Sequence, residues 1–303
     1  MDFIKKWYIY QKERFPILAY GSYVFAIVFA VFCYNSYLIK SQGYNYEIKW
    51  IFLLGLFTVT FLQFLMVRIV DEFKDYEEDC KYRPYRPVPR GLITLKELKI
   101  LFIICIILQF VITFFMSKNP LITFIRLALL WIFFAIMSKG FFIKKFLDKH
   151  ILIEVALDEL MMPILITYLS SFFVYVNPIF TMNSIQSLLP ILFISYIISW
   201  IVEIARKVRC KEAEEKGVKT YTAVFGIKGA MCILFILQWI LFILHTIILG
   251  KERIIITGVL FAIVSMIDLL FVIKQNKTFS KIVELSANIY VFIVYFSMIL
   301  LIV

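Results

Sequence analysis

The sequence predicts an all-α, polytopic membrane protein with nine transmembrane helices, and three observations carry that expectation. The first is composition. Of 303 residues, 62% are hydrophobic and only 17% charged, with a mean hydropathy of +0.90, against about 45–50% apolar and about 25% charged in an average soluble domain. A water-soluble chain of this length cannot hide so much apolar side chain, which excludes a soluble enzyme and a disordered chain. The second is the recurrence of apolar stretches of about 20 residues, the length that crosses a hydrocarbon core. The third is the segregation of positive charge between alternate joints of those stretches.

The stretches run in order. The first, 16–39, follows Lys5, Lys6, Lys12 and Arg14 and lacks a small-residue cleavage site, so it is expected to be a retained helix with the N-terminus in the cytoplasm. The second, 48–70, carries Arg68 near its end and opens into the long loop 71–96, with Lys74, Lys81, Arg83, Arg86, Arg90 and Lys96. The third and fourth, 97–117 and 119–138, are parted by Lys118, and the fourth exits through Lys139, Lys144, Lys145 and Lys149. The fifth and sixth, 150–176 and 185–203, lead into a second long loop, 204–226, with Arg206, Lys207, Arg209, Lys211, Lys216 and Lys219. Lys251 and Arg253 join the seventh, 227–249, to the eighth, 254–273; Lys274, Lys277 and Lys281 join the eighth to the ninth, 282–303. About 26 cations fall on the expected cytoplasmic side and about 5 on the other, a bias that sets orientation. The net charge of +11 is read as topology and affinity for anionic headgroups or phosphates, with no nucleic acid implied. Five cysteines without a CxxC pair offer neither a zinc site nor a disulfide framework. No linker splits the chain, so residues 1–303 are expected to form one transmembrane domain in the bilayer, with no obligate protein partner implied.

The two long loops carry the chemistry. The second stretch runs into VRIVDEFKDYEEDCKYRPYRPVPRGLIT. On a continuing helix Asp71, Asp75 and Asp79 stack along one face, about 6 Å apart. Like charges at that spacing repel, and a cation between them resolves the repulsion; carboxylate oxygens suit Mg²⁺, which shares its shell with waters and substrate phosphates. The plain alternative is a solvated helix end, which is the reading for Glu72, Glu77 and Glu78. Arg83, Arg86 and Arg90 alternate with Pro84, Pro87 and Pro89 before Gly91, which suggests a stiff extended segment holding three guanidinium groups near the carboxylates. Guanidinium grips phosphate bidentately, so carboxylates and arginines together suggest a diphosphate–Mg²⁺ site.

At these residues the sequence resembles the UbiA superfamily of intramembrane prenyltransferases. The resemblance implies nine transmembrane helices around a central cavity opening near the cytoplasmic face, and a first motif of the form NxxxDxxxD followed by an RPxxxG-like segment. Here Asp71 stands where the family usually has Asn, followed by Asp75, Asp79 and PYRPVPRG. A second acidic motif, usually two aspartates four apart, is expected after the sixth helix. The sequence there reads SWIVEIARKVRCKEAEEKGVKTYTAVFG: Gly217, Thr220 and Gly226 fit its tail, but Glu203 is the only acid at the helix end. Glu203 as opposing metal ligand, with Lys207 one turn on for diphosphate, is one reading, and an i,i+4 salt bridge is the other. One Mg²⁺ with a cation-rich cradle and two metals both remain open. Glu212, Glu214 and Glu215 are read as a solvated loop.

Glu154, Asp158 and Glu159 lie within the fifth stretch, where charge is costly and marks a cavity or an ion pair. Asp158 or Glu159 facing the cavity would accept a proton or steady a carbocation; the alternative pairs these acids with Lys144, Lys145, Lys149 or His150. His245 is read as a packed residue, with Asp268 and Asn288 as weaker intramembrane candidates. The resemblance therefore implies Mg²⁺-dependent transfer of a prenyl group from a polyprenyl diphosphate to an aromatic or other lipophilic acceptor. Metal is expected on Asp71, Asp75, Asp79 and Glu203, and diphosphate on Lys74, Arg83, Arg86, Arg90, Lys207 and Arg209. The rivals are a UbiA-type terpene cyclase, which ionises the same donor without an acceptor, and a non-catalytic or transport protein that binds an anionic lipid.

Overall fold

A computed structural model describes residues 3–43, 50–176, 182–214 and 218–302, and among them there are helices and turns but no strand. A short helix α1 (Phe3–Arg14) precedes α2 (Ile17–Ser41) and α3 (Trp50–Lys74). The first long loop contains α4 (Tyr76–Tyr82) and is followed by α5 (Leu95–Met116) and α6 (Pro120–Ser138). After α7 (Lys144–Leu147) come α8 (Ile151–Asp158) and α9 (Met161–Ser170), then α10 (Met182–Arg206), α11 (Tyr221–Leu249), α12 (Ile254–Lys274) and α13 (Lys277–Ser297). Among the described residues eight helices are long and apolar enough to cross a membrane, making this an integral, multi-pass membrane protein.

The ninth expected span, 150–176, is present in pieces: α8, α9 and a 3₁₀ segment Ser171–Val176. Its break follows from Pro163, which has no N–H to give the Glu159 carbonyl. That carbonyl instead accepts from the Met162 N–H at 3.1 Å, a tighter turn. The bundle closes on itself in the order α2, α3, α5, α6, α9, α10, α11, α12, α13 and back to α2, with α10 also packed on α13 and α9 on α2. The large core belongs chiefly to α2, α9, α10, α11 and α13. The outer face of α5 leaves Ile100, Ile107, Phe114 and Phe115 exposed, as a lipid-facing surface does.

Local sequence sets the ends. Thr94 and Glu97 form a reciprocal capping box at α5, Asn119 with Pro120 opens α6, and Thr220 and Asn276 cap α11 and α13. α11 begins before the expected residue 227 and bends at Gly226, whose φ of 70° and ψ of 167° suit glycine alone. Nothing lies within 4 Å of where a Cβ would project, so Gly226→Ala carries a backbone penalty only. It is expected to cost about 1–3 kcal/mol, read as a lower unfolding midpoint in detergent.

The segment 83–93 is not extended. Arg86 and Arg90 donate backbone N–H groups to the carbonyls of Arg83 and Arg86 at 3.0 Å each, and Leu92 donates to that of Pro87 at 2.9 Å. The prolines fix φ at a value turns accept, so the loop coils into successive turns. It packs with α1 into a second core of Tyr10, Ile69, Val88, Ile93 and Leu98, flanked by Trp7. Burial beside Glu72 pushes the Tyr10 phenol above its ordinary range, keeping it neutral.

Candidate active site

The three motif aspartates are linked by backbone bonds, Asp75 N–H to the Asp71 carbonyl at 2.9 Å and Asp79 N–H to that of Asp75 at 2.8 Å. The helix nevertheless breaks at Asp75, between α3 and α4, and the side chains part. Asp79 is buried, with Arg83 Nη1 at 3.0 Å from Oδ1 and Arg86 Nη1 at 2.6 Å from Oδ2. Arg14 of α1 reaches Asp79 and pairs with Glu72, which also takes Arg68 at 3.1 Å. Glu72 is thus not the solvated acid expected, whereas Glu77 and Glu78 are exposed. Arg90 is held by Glu13 at 2.9 Å and the Tyr85 carbonyl at 2.8 Å. Asp79 was expected to face metal and Arg83, Arg86 and Arg90 to face phosphate; here they neutralise one another or Glu13, because a buried charge is stable only when paired.

Asp71 and Asp75 remain open. The Asp71 carboxylate is 42% exposed and only loosely paired, with Arg68 Nη1 at 3.6 Å. Asp75 forms no ion pair among the described residues and lies in electrostatic reach of Asp71, as does Lys74.

Glu203 sits at the end of α10. Its Oε1 takes Lys207 Nζ at 2.7 Å and its Oε2 takes Arg206 Nη2 at 2.6 Å, so the salt-bridge reading holds and both oxygens are occupied. Lys207 also lies over the Tyr221 ring, 5.8 Å from its centroid. Arg206 is 56% exposed, yet it interacts electrostatically with Tyr20 of α2, Asp71 of α3, Glu159, Tyr221 of α11 and Glu284 of α13. Its charge is thus felt by groups on four other helices and by Glu159 at the break in the fifth span. Composition gave no reason to single Arg206 out from Lys207 and Arg209.

Asp158 and Glu159, at the break in the fifth span, are within electrostatic reach of Glu203, Asp158 also of Asp71 and Lys74, and Glu159 also of Arg206. Neither pairs with Lys144, Lys145 or Lys149 among the described residues. Ser199 stands beside Glu159, and Tyr23 and Tyr295 also feel its charge. Tyr23 stands 5.8 Å from Phe64, 6.2 Å from Phe292 and 6.4 Å from Tyr295, between ring centroids. Asp71, Asp158, Glu159, Glu203 and Arg206 are thus drawn to one region beside an aromatic wall from α2, α3 and α13.

The remaining candidates lie elsewhere. Arg209 turns back on its own loop, its N–H on Thr222 Oγ1 at 3.0 Å and Nη1 on the Ala213 carbonyl at 3.3 Å. Glu214, expected in solvent, accepts from Thr220 at 2.6 Å and Thr222 at 2.8 Å. Glu215 and Gly217 fall outside the described residues. His245 is packed, 2.7 Å from Ser297; Asp268 is buried beside Gln238, and Asn288 donates to the Glu284 carbonyl on its own helix.

The family model of the UbiA prenyltransferases matches residues 26–292. The chain belongs to the UbiA prenyltransferase family. Two solved structures share its fold. The apo structure of a UbiA homolog from Aeropyrum pernix K1 aligns with a TM-score of 0.62 at 13% identity, covering 91% of this chain and 96% of that one. A digeranylgeranylglyceryl phosphate synthase aligns with a TM-score of 0.55 at 21% identity, covering 95% and 98%. A search of curated protein sequences finds no match.

For a UbiA family member a divalent metal is the natural question, and the two halves of the site answer differently. Asp71 and Asp75 are hard oxygen donors without a firm partner, and Mg²⁺ needs only one or two carboxylates besides phosphate and water, so they fit it. Among the described residues no three acids, histidines or cysteines group to hold a metal unaided. Glu203, with both oxygens taken by cations, does not fit.

Proposed function

We propose that the protein transfers a prenyl group from a polyprenyl diphosphate to a lipophilic acceptor, aromatic or otherwise, within the membrane and with Mg²⁺. The observation that carries this reading is the convergence of Arg206, presented by Glu203, with the open carboxylate of Asp71 beside a tyrosine- and phenylalanine-lined wall. Asp71 and Asp75 would hold Mg²⁺, which when bound supplies positive charge for the departing diphosphate. Lys74, Arg206 and Lys207 bind the diphosphate oxygens, and their hold strengthens as the C–O bond breaks and charge gathers there. Tyr20, Tyr23, Phe64, Phe292 and Tyr295 exclude water and turn π faces toward the allylic cation. Asp158 or Glu159 accepts the proton the acceptor loses. By the charge bias of the joints, the site opens to the cytoplasm.

Incubating purified protein with Mg²⁺ and farnesyl or geranylgeranyl diphosphate tests the reading. A prenylated acceptor supports it; a released hydrocarbon assigns the site to a cyclase; intact donor with no diphosphate released overturns both. Glu203→Gln is expected to lower kcat and raise the KM for the donor, together about 10- to 100-fold in kcat/KM, with an unchanged unfolding midpoint. It would do so by releasing Arg206 and Lys207, and undiminished turnover would remove Glu203 from the site.

A further inference from the structure

We infer that Arg206 does in this protein the work of a second metal ion, so that the diphosphate is held by one divalent cation on one side and by a guanidinium on the other. The inference rests on the prenyl diphosphate reading above and adds to it the stoichiometry and the residue responsible. A second divalent ion facing the Asp71–Asp75 pair needs free carboxylate oxygens on α10. The only acid there is Glu203, and it is spent: Oε1 on Lys207 at 2.7 Å, Oε2 on Arg206 at 2.6 Å. Two cations on one carboxylate leave it no free oxygen for a divalent ion and add a repulsion that the ion would have to overcome there.

Arg206 is built to take the vacant role. Nε and Nη2 both donate to Glu203 Oε2, at 3.2 and 2.6 Å, which fixes the plane of the guanidinium. Nη1 has no partner among the described residues, and the side chain is 56% exposed. Its charge reaches Asp71 at the end of α3. Guanidinium is always charged, sheds water more readily than ammonium and matches phosphate geometry. Glu203 is then a positioning residue, and its ion pair is part of the anion site.

Counting bound Mn²⁺ by electron paramagnetic resonance, with a non-hydrolysable farnesyl thiodiphosphate as probe, decides the matter without turnover. The ternary complex is expected to hold one Mn²⁺ per chain. Arg206→Met is expected to weaken thiodiphosphate binding about 10- to 100-fold, the worth of a charge-assisted hydrogen bond, and to leave the Mn²⁺ count at one. Arg206→Lys keeps the charge but loses the fork, and is expected to weaken binding by a smaller factor; it serves if the Met variant fails to fold. Two Mn²⁺ per wild-type chain, or unchanged thiodiphosphate affinity in the foldable variants, overturns the inference and leaves the prenyl diphosphate reading standing. No thiodiphosphate binding to wild-type protein at any Mn²⁺ concentration removes that reading, and the inference with it.

Discussion

Asp75→Ala is expected to cut diphosphate release from a prenyl diphosphate by at least about 100-fold, the scale of losing one preorganised charge-stabilising group, without lowering the unfolding midpoint. Both parts follow from its surroundings. Asp75 sits at the break between α3 and α4 and forms no ion pair among the described residues, so alanine there leaves no buried charge stranded. Its neighbour Asp71 is open as well, and together they are the donors left for a metal once Asp79 is accounted for. Release unchanged in Asp75→Ala would end the metal-site reading of the first motif.

Asp79→Ala is expected to behave in the opposite way. Its carboxylate neutralises Arg83 and Arg86 in a site 2% exposed, with Arg14 close by. Removing one member of a buried ionic cluster typically costs about 3–5 kcal/mol, because the partner charges stay buried. The expected result is a large drop in the unfolding midpoint and early proteolysis in the 83–93 turns, with activity lost in proportion to folded protein. An unchanged midpoint with metal-dependent binding abolished would make Asp79 a ligand after all. Comparing Asp75→Ala with Asp79→Ala separates two aspartates that the spacing of the motif treats as equals.

That equality shows where sequence reading stops. Apolar length and flanking cations located the spans, since crossing a bilayer is a constraint on consecutive residues. The split of the fifth span was signalled by Pro163, but a continuous apolar run hid it. The fate of Asp79 could not be read locally, because it depends on Arg14, from a helix that precedes α2, and on the coiling of 83–93. Glu72 misled for the same reason: on its own helix it looks outward, and α1 covers it. Nothing local distinguishes Arg206, Lys207 and Arg209: the first two share Glu203, while the third turns back on Ala213 and Thr222. The candidate site was legible as residue types in two loops, and its working members were selected by tertiary contacts.

The ring of helices has a consequence for the order of folding. Its closing seam joins α2 to α13, elements far apart along the chain, and there Phe292 and Tyr295 complete the wall begun by Tyr23. Arg14 and Glu72, by contrast, are only 58 residues apart. Contacts that close short loops form before contacts that close long ones, so the Arg14 knot can be tied while the side of the wall that would shield a reactive cation is still open.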